Sequence, residues 1–350
     1  MRIERLWPGR TVSASHASEL DGAVLTRDLV VAGKRWAKGR RLSAADVERL
    51  ATDLPEGRPV TLLLLESGDI HEDEAAHRLA SAAAGIGLTQ RGPVESRLDL
   101  LAAHDGVLHV RIAALERIDR IDPLEVFTRL DGQVVRTGEL VASVKVAPHV
   151  VPVALVAAAE SIAGRTGVIS VAPFLPRRVG VLVKEALHAP ARERFEGSVR
   201  QKVEALGSTV ESVVYVEDAT EPVAGALYQM VFGNGRMDLV MTAGSASTDP
   251  HDPFFEAIDA LGGRIVRRGV PAHPGSMLWL ARVGRTDIIG LPTCGAYSKA
   301  TAADLLLPRL LSGERADART VARLGHGGIL TREMRFRMPH YARELEAPDG

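Results

Sequence analysis

The chain has 350 residues, more than a single core usually serves, so two or three units are expected. Apolar residues make up 46 % and charged residues 25 %, which supplies ample core material and excludes a disordered chain. A formal net charge of −1, with no basic block interleaved with aromatics, argues against nucleic acid as the main partner.

Residues 1–90 read as a mixed α+β region. "LSAADVERLATDL" predicts a helix with Ser43 as N-cap and Val47 and Leu50 on its apolar stripe. After the apolar run "VTLLLLE", "DIHEDEAAHRLASAAAGIG" predicts a second helix with acids at its start. In the cluster of His71, Glu72, Asp73, Glu74 and His77, His71 with Glu74 or Asp73 with His77 could share a helical face as metal ligands, but acids at a helix N-terminus are the commoner macrodipole pattern.

Residues 91–150 change period and read as a small antiparallel β-hairpin module. Asp105-Gly106 and Asp131-Gly132 each stand between β-rich runs, a short-range hairpin signal. Residues 151–176 read as a helix ending at Gly164 followed by a linker.

From 177 to 315 strands and helices alternate. "RVGVLVK", "VESVVYV", "DLVMTA" and "TDIIGLP" read as strands; "ERFEGSVRQKVEALG", "EPVAGALYQMVF", "DPFFEAIDALGG" and "SKATAADLLLPRLL" read as helices. The expected fold class is therefore α/β, with a three-layer C-terminal domain built on a mostly parallel sheet. Residues 316–350 form a C-terminal extension whose arginines, among them Arg332, Arg335 and Arg337, read as a solvated tail.

In such sheets ligands bind outside the carboxyl ends of the strands. That selects four loops: 184–194, 217–221, 242–253 and 292–298. The third offers the hydroxyls of Thr242, Ser245, Ser247 and Thr248, the open backbone of Gly244, and the N-terminus of the following helix. Asp249 and Asp252 add carboxylates that would suit Mg²⁺ between protein and phosphate. On composition alone the same loop is equally an acid-capped turn that starts a helix. In the fourth loop Ser298 is placed to cap the next helix, and Cys294 reads as a small packed residue rather than a nucleophile. Because Cys294 is the single cysteine, no internal disulfide can form. With no signal-peptide pattern and no apolar run of about 18 residues, a cytoplasmic location without a membrane span is expected.

The stretches "TAGSASTDPHDPFFEAI", "GGRIVRRGVPAHPGSML" and "IIGLP" resemble the molybdopterin-binding domain of molybdenum-cofactor biosynthesis proteins. "DGAVLTRDL", "AKGRRLSAADVERL" and "GELVASVKVAPHVVP" extend the resemblance toward a subgroup related to the molybdenum-insertion protein. The resemblance implies a protein that binds molybdopterin or its nucleotide-activated form, with phosphate or nucleotide transfer, or molybdate insertion, as the reaction. A non-catalytic carrier that hands the cofactor to a partner enzyme is the alternative. It also implies Mg²⁺, a homo-oligomer, and a molybdoenzyme or biosynthetic partner.

Carried over position by position, Asp252, with Asp249 beside it, takes the catalytic and metal-binding role. Thr242, Gly244, Ser245 and Ser247 line the phosphate loop, Pro274 and Gly275 match the P-G turn, and Gly290, Leu291 and Pro292 match G-L-P. Ser298 and Lys184 complete the expected binding set. The sequence departs from the pattern at Ala243, where a second glycine is common, and at Thr293-Cys294, which replace Gly-Asn. Lys184, Glu185 and Ala186 stand where the first loop often reads T-G-[DS]-E.

Overall fold

The computed structural model describes residues 1–94, 96–245, 248–291, 300–315 and 317–343. Two units emerge: Met1–Ala103 with Val110–Arg129 and Thr137–Val171, and His104–His109 with Leu130–Arg136 and Ala172–Gly350.

In the first unit the strands Arg2–Leu6, Val60–Leu64 and Val24–Leu25 form an antiparallel sheet with Val60–Leu64 central. Its core gathers Leu6, Trp36, Val60 and Leu62 with Val47 and Leu50 of the helix Ala44–Asp53. That helix starts as the sequence indicates. Ser43 Oγ accepts from the Asp46 amide at 3.1 Å while the Asp46 carboxylate accepts from the Ser43 amide at 3.2 Å, a reciprocal capping box. The helix Glu72–Ala83 is capped differently: His71 Nδ1 accepts from the Asp73 amide at 3.2 Å. Since Nδ1 is then unprotonated, Nε2 carries the hydrogen and donates to the Gly39 carbonyl at 2.7 Å. Both ring nitrogens of His71 are committed, so His71 serves this helix as its cap. The helix Val153–Ala163 ends at Gly164, whose φ of 65° lies in the left-handed region.

A four-stranded antiparallel sheet runs Leu124–Thr128, Leu140–Val146, Arg97–Ala102, Leu88–Val94. The strands expected in the β-module are present, but the two Asp-Gly turns do not join neighbours in one ladder. Arg97–Ala102 pairs within this sheet, whereas Gly106–Val110 pairs with Val134–Val135, at Val107↔Val134 and Gly106↔Val135. An Asp-Gly pair favours a tight reversal, but apolar burial of the flanking runs decides which strand each meets.

The second unit carries a six-stranded sheet in the order Thr209–Tyr215, Arg178–Val183, Leu239–Ala243, Thr286–Leu291, Trp279–Val283, Arg264–Arg268. The first four strands are parallel, and the last two add antiparallel. Alternating side chains feed two cores. Val179, Val181 and Val183 pack with Phe195, Val199 and Val203 of the helix Ala189–Glu204 and with Leu306 and Leu307 of Ala302–Leu311. Leu182 and Val240, on the opposite face, pack with Val223 and Leu227 of Thr220–Phe232 and with Phe254 and Ile258 of Pro253–Ala260. This is the expected mostly parallel α/β sheet with helices on both faces.

Two expectations are corrected here. The helix Ala302–Leu311 is capped by Thr301, which forms a capping box with Asp304; Ser298, expected as the cap, lies outside the described residues. The C-terminal extension is not a solvated tail: Val321, Leu324, Leu330, Met338 and Ala342 enter the core of the second unit. The arginines between them masked that apolar spacing. No helix among the described residues is long and apolar enough to cross a membrane.

Candidate functional site

At the carboxyl ends of the parallel strands of the second unit lies a cavity of about 1020 Å³, lined by Lys184, Glu185, Arg192, Tyr215, Asp218, Gly244 and Ser245 among others. Strand order alone selects this rim, and three of the four loops it nominates contribute described residues.

Lys184 follows directly on Arg178–Val183, and its amide donates to the Ala243 carbonyl at 3.2 Å, extending the parallel ladder by one residue. Its side chain is buried, only 4 % exposed, and the ammonium lies 2.6 Å from Asp218 Oδ1 and 3.1 Å from Asp252 Oδ2. The two carboxylates differ in setting. Asp252 is 7 % exposed at the side chain, whereas Asp218 is 62 % exposed on the cavity wall.

Asp252 is the N-cap of Pro253–Ala260, where a carboxylate complements the helix dipole. Its Oδ1 accepts from the Phe254 amide at 2.9 Å. Its Oδ2 accepts from Ser245 Oγ at 2.8 Å and faces Lys184. The acid-capped turn is observed, and its capping aspartate also anchors the buried cation of the cavity.

Gly244 turns the chain out of Leu239–Ala243 with φ +95°, and a Cβ there would stand 3.0 Å from Glu185 Cβ. Close approach of the two strand-end loops therefore requires glycine. On the far wall Arg192 stacks over the Tyr215 ring at 3.8 Å from its centroid, and Tyr215 Oη donates to Glu196 at 3.2 Å. Burial pushes the Tyr215 phenol up to about 12, with the Glu196 carboxylate adding to the shift.

Of the residues expected from sequence, Lys184, Gly244, Ser245 and Asp252 are brought together. Asp249 is exposed, and its carboxylate accepts from the His251 amide at 2.9 Å, shaping the turn before the helix. Thr242 is buried, and its Oγ1 has no hydrogen-bond partner among the described residues. Gly290 pairs with Trp279 in the ladder, where a Cβ would strike the indole, and Leu291 is a core residue. Pro274 and Gly275 act on the helix Ala302–Leu311: the Pro274 carbonyl accepts from the Ala302 amide at 2.9 Å. Ser247, Pro292, Cys294 and Ser298 lie outside the described residues. Asp218, Arg192 and Tyr215 were not singled out from sequence; Tyr215 ends the strand Thr209–Tyr215 and Asp218 follows it closely, whereas Arg192 stands in the first turn of the helix Ala189–Glu204.

Among the described residues no group of three or more His, Cys, Asp and Glu side chains is arranged to hold a metal ion. A Mg²⁺ on Oδ2 of Asp252 would have to displace Lys184 or Ser245, and Oδ1 already accepts from the Phe254 amide. The described residues do not fit a resident magnesium.

Residues 184–312 match the family model described as a probable molybdopterin binding domain. No curated protein matches the chain. Among solved structures, the molybdopterin biosynthesis enzyme MoaB of Thermus thermophilus aligns at 20 % identity and TM-score 0.30, over 39 % of this chain and 98 % of its own. The molybdopterin biosynthesis MoeA protein of Pyrococcus horikoshii aligns at 15 % identity and TM-score 0.30, over 73 % and 81 % respectively. A molybdopterin biosynthesis protein of Mycobacterium abscessus aligns at 17 % identity and TM-score 0.27, over 39 % and 88 %. Residues 184–312 of this chain, which carry every described side chain of the strand-end cavity, are therefore a domain of the molybdopterin-binding family of molybdenum-cofactor biosynthesis.

Proposed function

We propose that the second unit binds molybdopterin, or its nucleotide-activated form, with the phosphate on the Lys184 ammonium and the heterocycle against the Tyr215 wall. The observation that carries this reading is the buried Lys184 side chain at the mouth of the Gly244 turn, where a fixed cation meets a glycine backbone. A lysine acts on phosphate as a compact point charge, and a low-polarity setting strengthens it. The volume of about 1020 Å³ suits a ligand of this size.

Molybdopterin titrated into the full chain, followed by pterin fluorescence and mass spectrometry, tests the binding. Lys184→Gln is expected to weaken it by about tenfold or more, the loss of one charged hydrogen bond. Equal affinity in wild type and Lys184→Gln would refute the assignment.

Two readings of the step after binding differ in chemistry. As an enzyme, the protein transfers a nucleotide or phosphate, or exchanges it for molybdate; as a carrier, it passes the cofactor unchanged to a molybdoenzyme. The engagement of Asp252 by Lys184 favours the carrier, because the carboxylate is not open to a metal. Incubation with molybdopterin, ATP, Mg²⁺ and molybdate separates them: a new product means an enzyme, recovery of unchanged pterin a carrier. The same preparations on a light-scattering column test the homo-oligomer expected from the resemblance.

A further inference from the structure

The sequence assigns Mg²⁺ to Asp252 and Asp249, yet the structure fills the coordinating face of Asp252 from within the chain. Oδ2 receives Lys184 Nζ at 3.1 Å and Ser245 Oγ at 2.8 Å, and Oδ1 receives the Phe254 amide at 2.9 Å. These three donors surround the carboxylate much as a metal and its waters would, and all three are built into the fold. The Phe254 ring, 5.6 Å from Lys184 Nζ, further shields the ammonium from solvent. A divalent ion brought to Asp252 would meet this fixed positive charge, and removing Lys184 from it would leave a buried ammonium without its inner partner.

The second carboxylate on Lys184 is of another kind. Asp218 is largely exposed, yet its oxygen stands 2.6 Å from the ammonium, on the cavity side. Asp218 regains water when it leaves, whereas Asp252 is buried, so of the two carboxylates on Lys184 it is Asp218 that a stronger anion can replace.

We infer that Lys184 is a built-in cation taking the place of a divalent metal at Asp252, and that Asp218 occupies the anion position on Lys184 until a ligand phosphate displaces it. The inference rests on the pterin-phosphate reading for the identity of the ligand, but its charge logic concerns Lys184, Asp252 and Asp218 alone. Phosphate binding in this site is then independent of Mg²⁺. The inner pair stays intact throughout, and the outer carboxylate swings into solvent, so one anion leaves the ammonium as the phosphate enters.

The test uses the full chain and two probes. Mn²⁺ titrated alone and followed by EPR reads the metal question without any pterin. Wild type is expected to hold no Mn²⁺ that Asp252→Asn releases. Lys184→Met, which frees Asp252, is expected to gain such a site and to lose it again in Lys184→Met/Asp252→Asn. Molybdopterin titrated in EDTA reads the anion side. Wild-type affinity is expected to stay within about twofold of its value in Mg²⁺, and Asp218→Asn to bind several-fold more tightly because its competitor has lost its charge. An Asp252-dependent Mn²⁺ site in wild type overturns the inference, as does loss of molybdopterin binding on chelation or weaker binding in Asp218→Asn. If molybdopterin binds under no condition, the pterin reading fails, and the Mn²⁺ titration of wild type still decides the role of Lys184. That titration needs no Lys184 variant to fold.

Discussion

On the sheet face opposite the Phe254 core, Lys202 of Ala189–Glu204 reaches Asp304 of Ala302–Leu311, with Nζ 2.8 and 3.1 Å from the two carboxylate oxygens. The side chains are 5 % and 0 % exposed. Asp304 also accepts from the Thr301 amide at 2.9 Å, so one carboxylate both neutralises Lys202 and starts the helix. Asp304→Ala strands a buried ammonium, which costs about 3–5 kcal/mol, and removes half a capping box, about 1 kcal/mol. A loss of about 4–6 kcal/mol is a large share of a domain's usual stability of about 5–15 kcal/mol. For a unit of this size it lowers the melting temperature by on the order of 10–20 °C. Hydrogen exchange of the amides in 302–311, read with urea melts, assigns the loss to the second unit. Lys202→Met/Asp304→Leu, which replaces both charges with apolar volume, should recover more than half of it. The reasoning fails if Asp304→Ala costs under about 1 kcal/mol, or if the double variant is no more stable than the single.

Burial of His109 pushes its imidazole below the usual 6.5, with Arg309 acting in the same direction and Glu314 opposing. A lowered histidine value means that the unfolded chain binds the proton more readily. The second unit should therefore lose stability as pH falls below about 6.5, a loss absent in His109→Gln when melts are compared between pH 7.5 and 5.5. Gly290→Ala drives a methyl group into the Trp279 indole across the ladder and should cost about 1–3 kcal/mol or more, with Trp279 emission altered; an unchanged melt would mean the strands separate freely. Gly244→Ala, at φ +95° and against Glu185, should cost about 1–2 kcal/mol in stability and weaken molybdopterin binding beyond that, read by calorimetry.

The alternating half of the chain was legible because its signals are local. Capped starts such as Ser43 and Asp252, the stripe Phe195, Val199, Val203, and the apolar run of Arg178–Val183 each state their element within a few residues. Strand order then located the rim and four of its side chains. What escaped depends on partners distant in sequence. The pairing of Lys184 with Asp218 spans 34 residues and that of Lys202 with Asp304 spans 102, and no spacing rule reaches across a sheet. The capping of Ala302–Leu311 went to Thr301 rather than Ser298 because the Asp304 carboxylate reaches back three residues to its amide. The Asp-Gly turns misled for a related reason: turn chemistry fixes where a chain reverses, while pairing is fixed by burial on the faces of the strands.

The two short segments 104–109 and 130–136, which belong with the second unit although the chain around them belongs with the first, bear on how the protein is made. Their anchor is Arg309, which donates to Asp131 at 2.9 Å across 178 residues and is itself only 8 % exposed. On the ribosome Asp131 emerges long before its partner, so the paired strands Gly106–Val110 and Val134–Val135 wait with a polar anchor unmet until the chain is nearly complete. Synthesis in order from the N-terminus therefore does not yield finished units in that order. The first unit's chain passes twice through segments that belong with the second, and nascent chains stopped before residue 309 should leave the segment around Asp131 more open to exchange and to proteases.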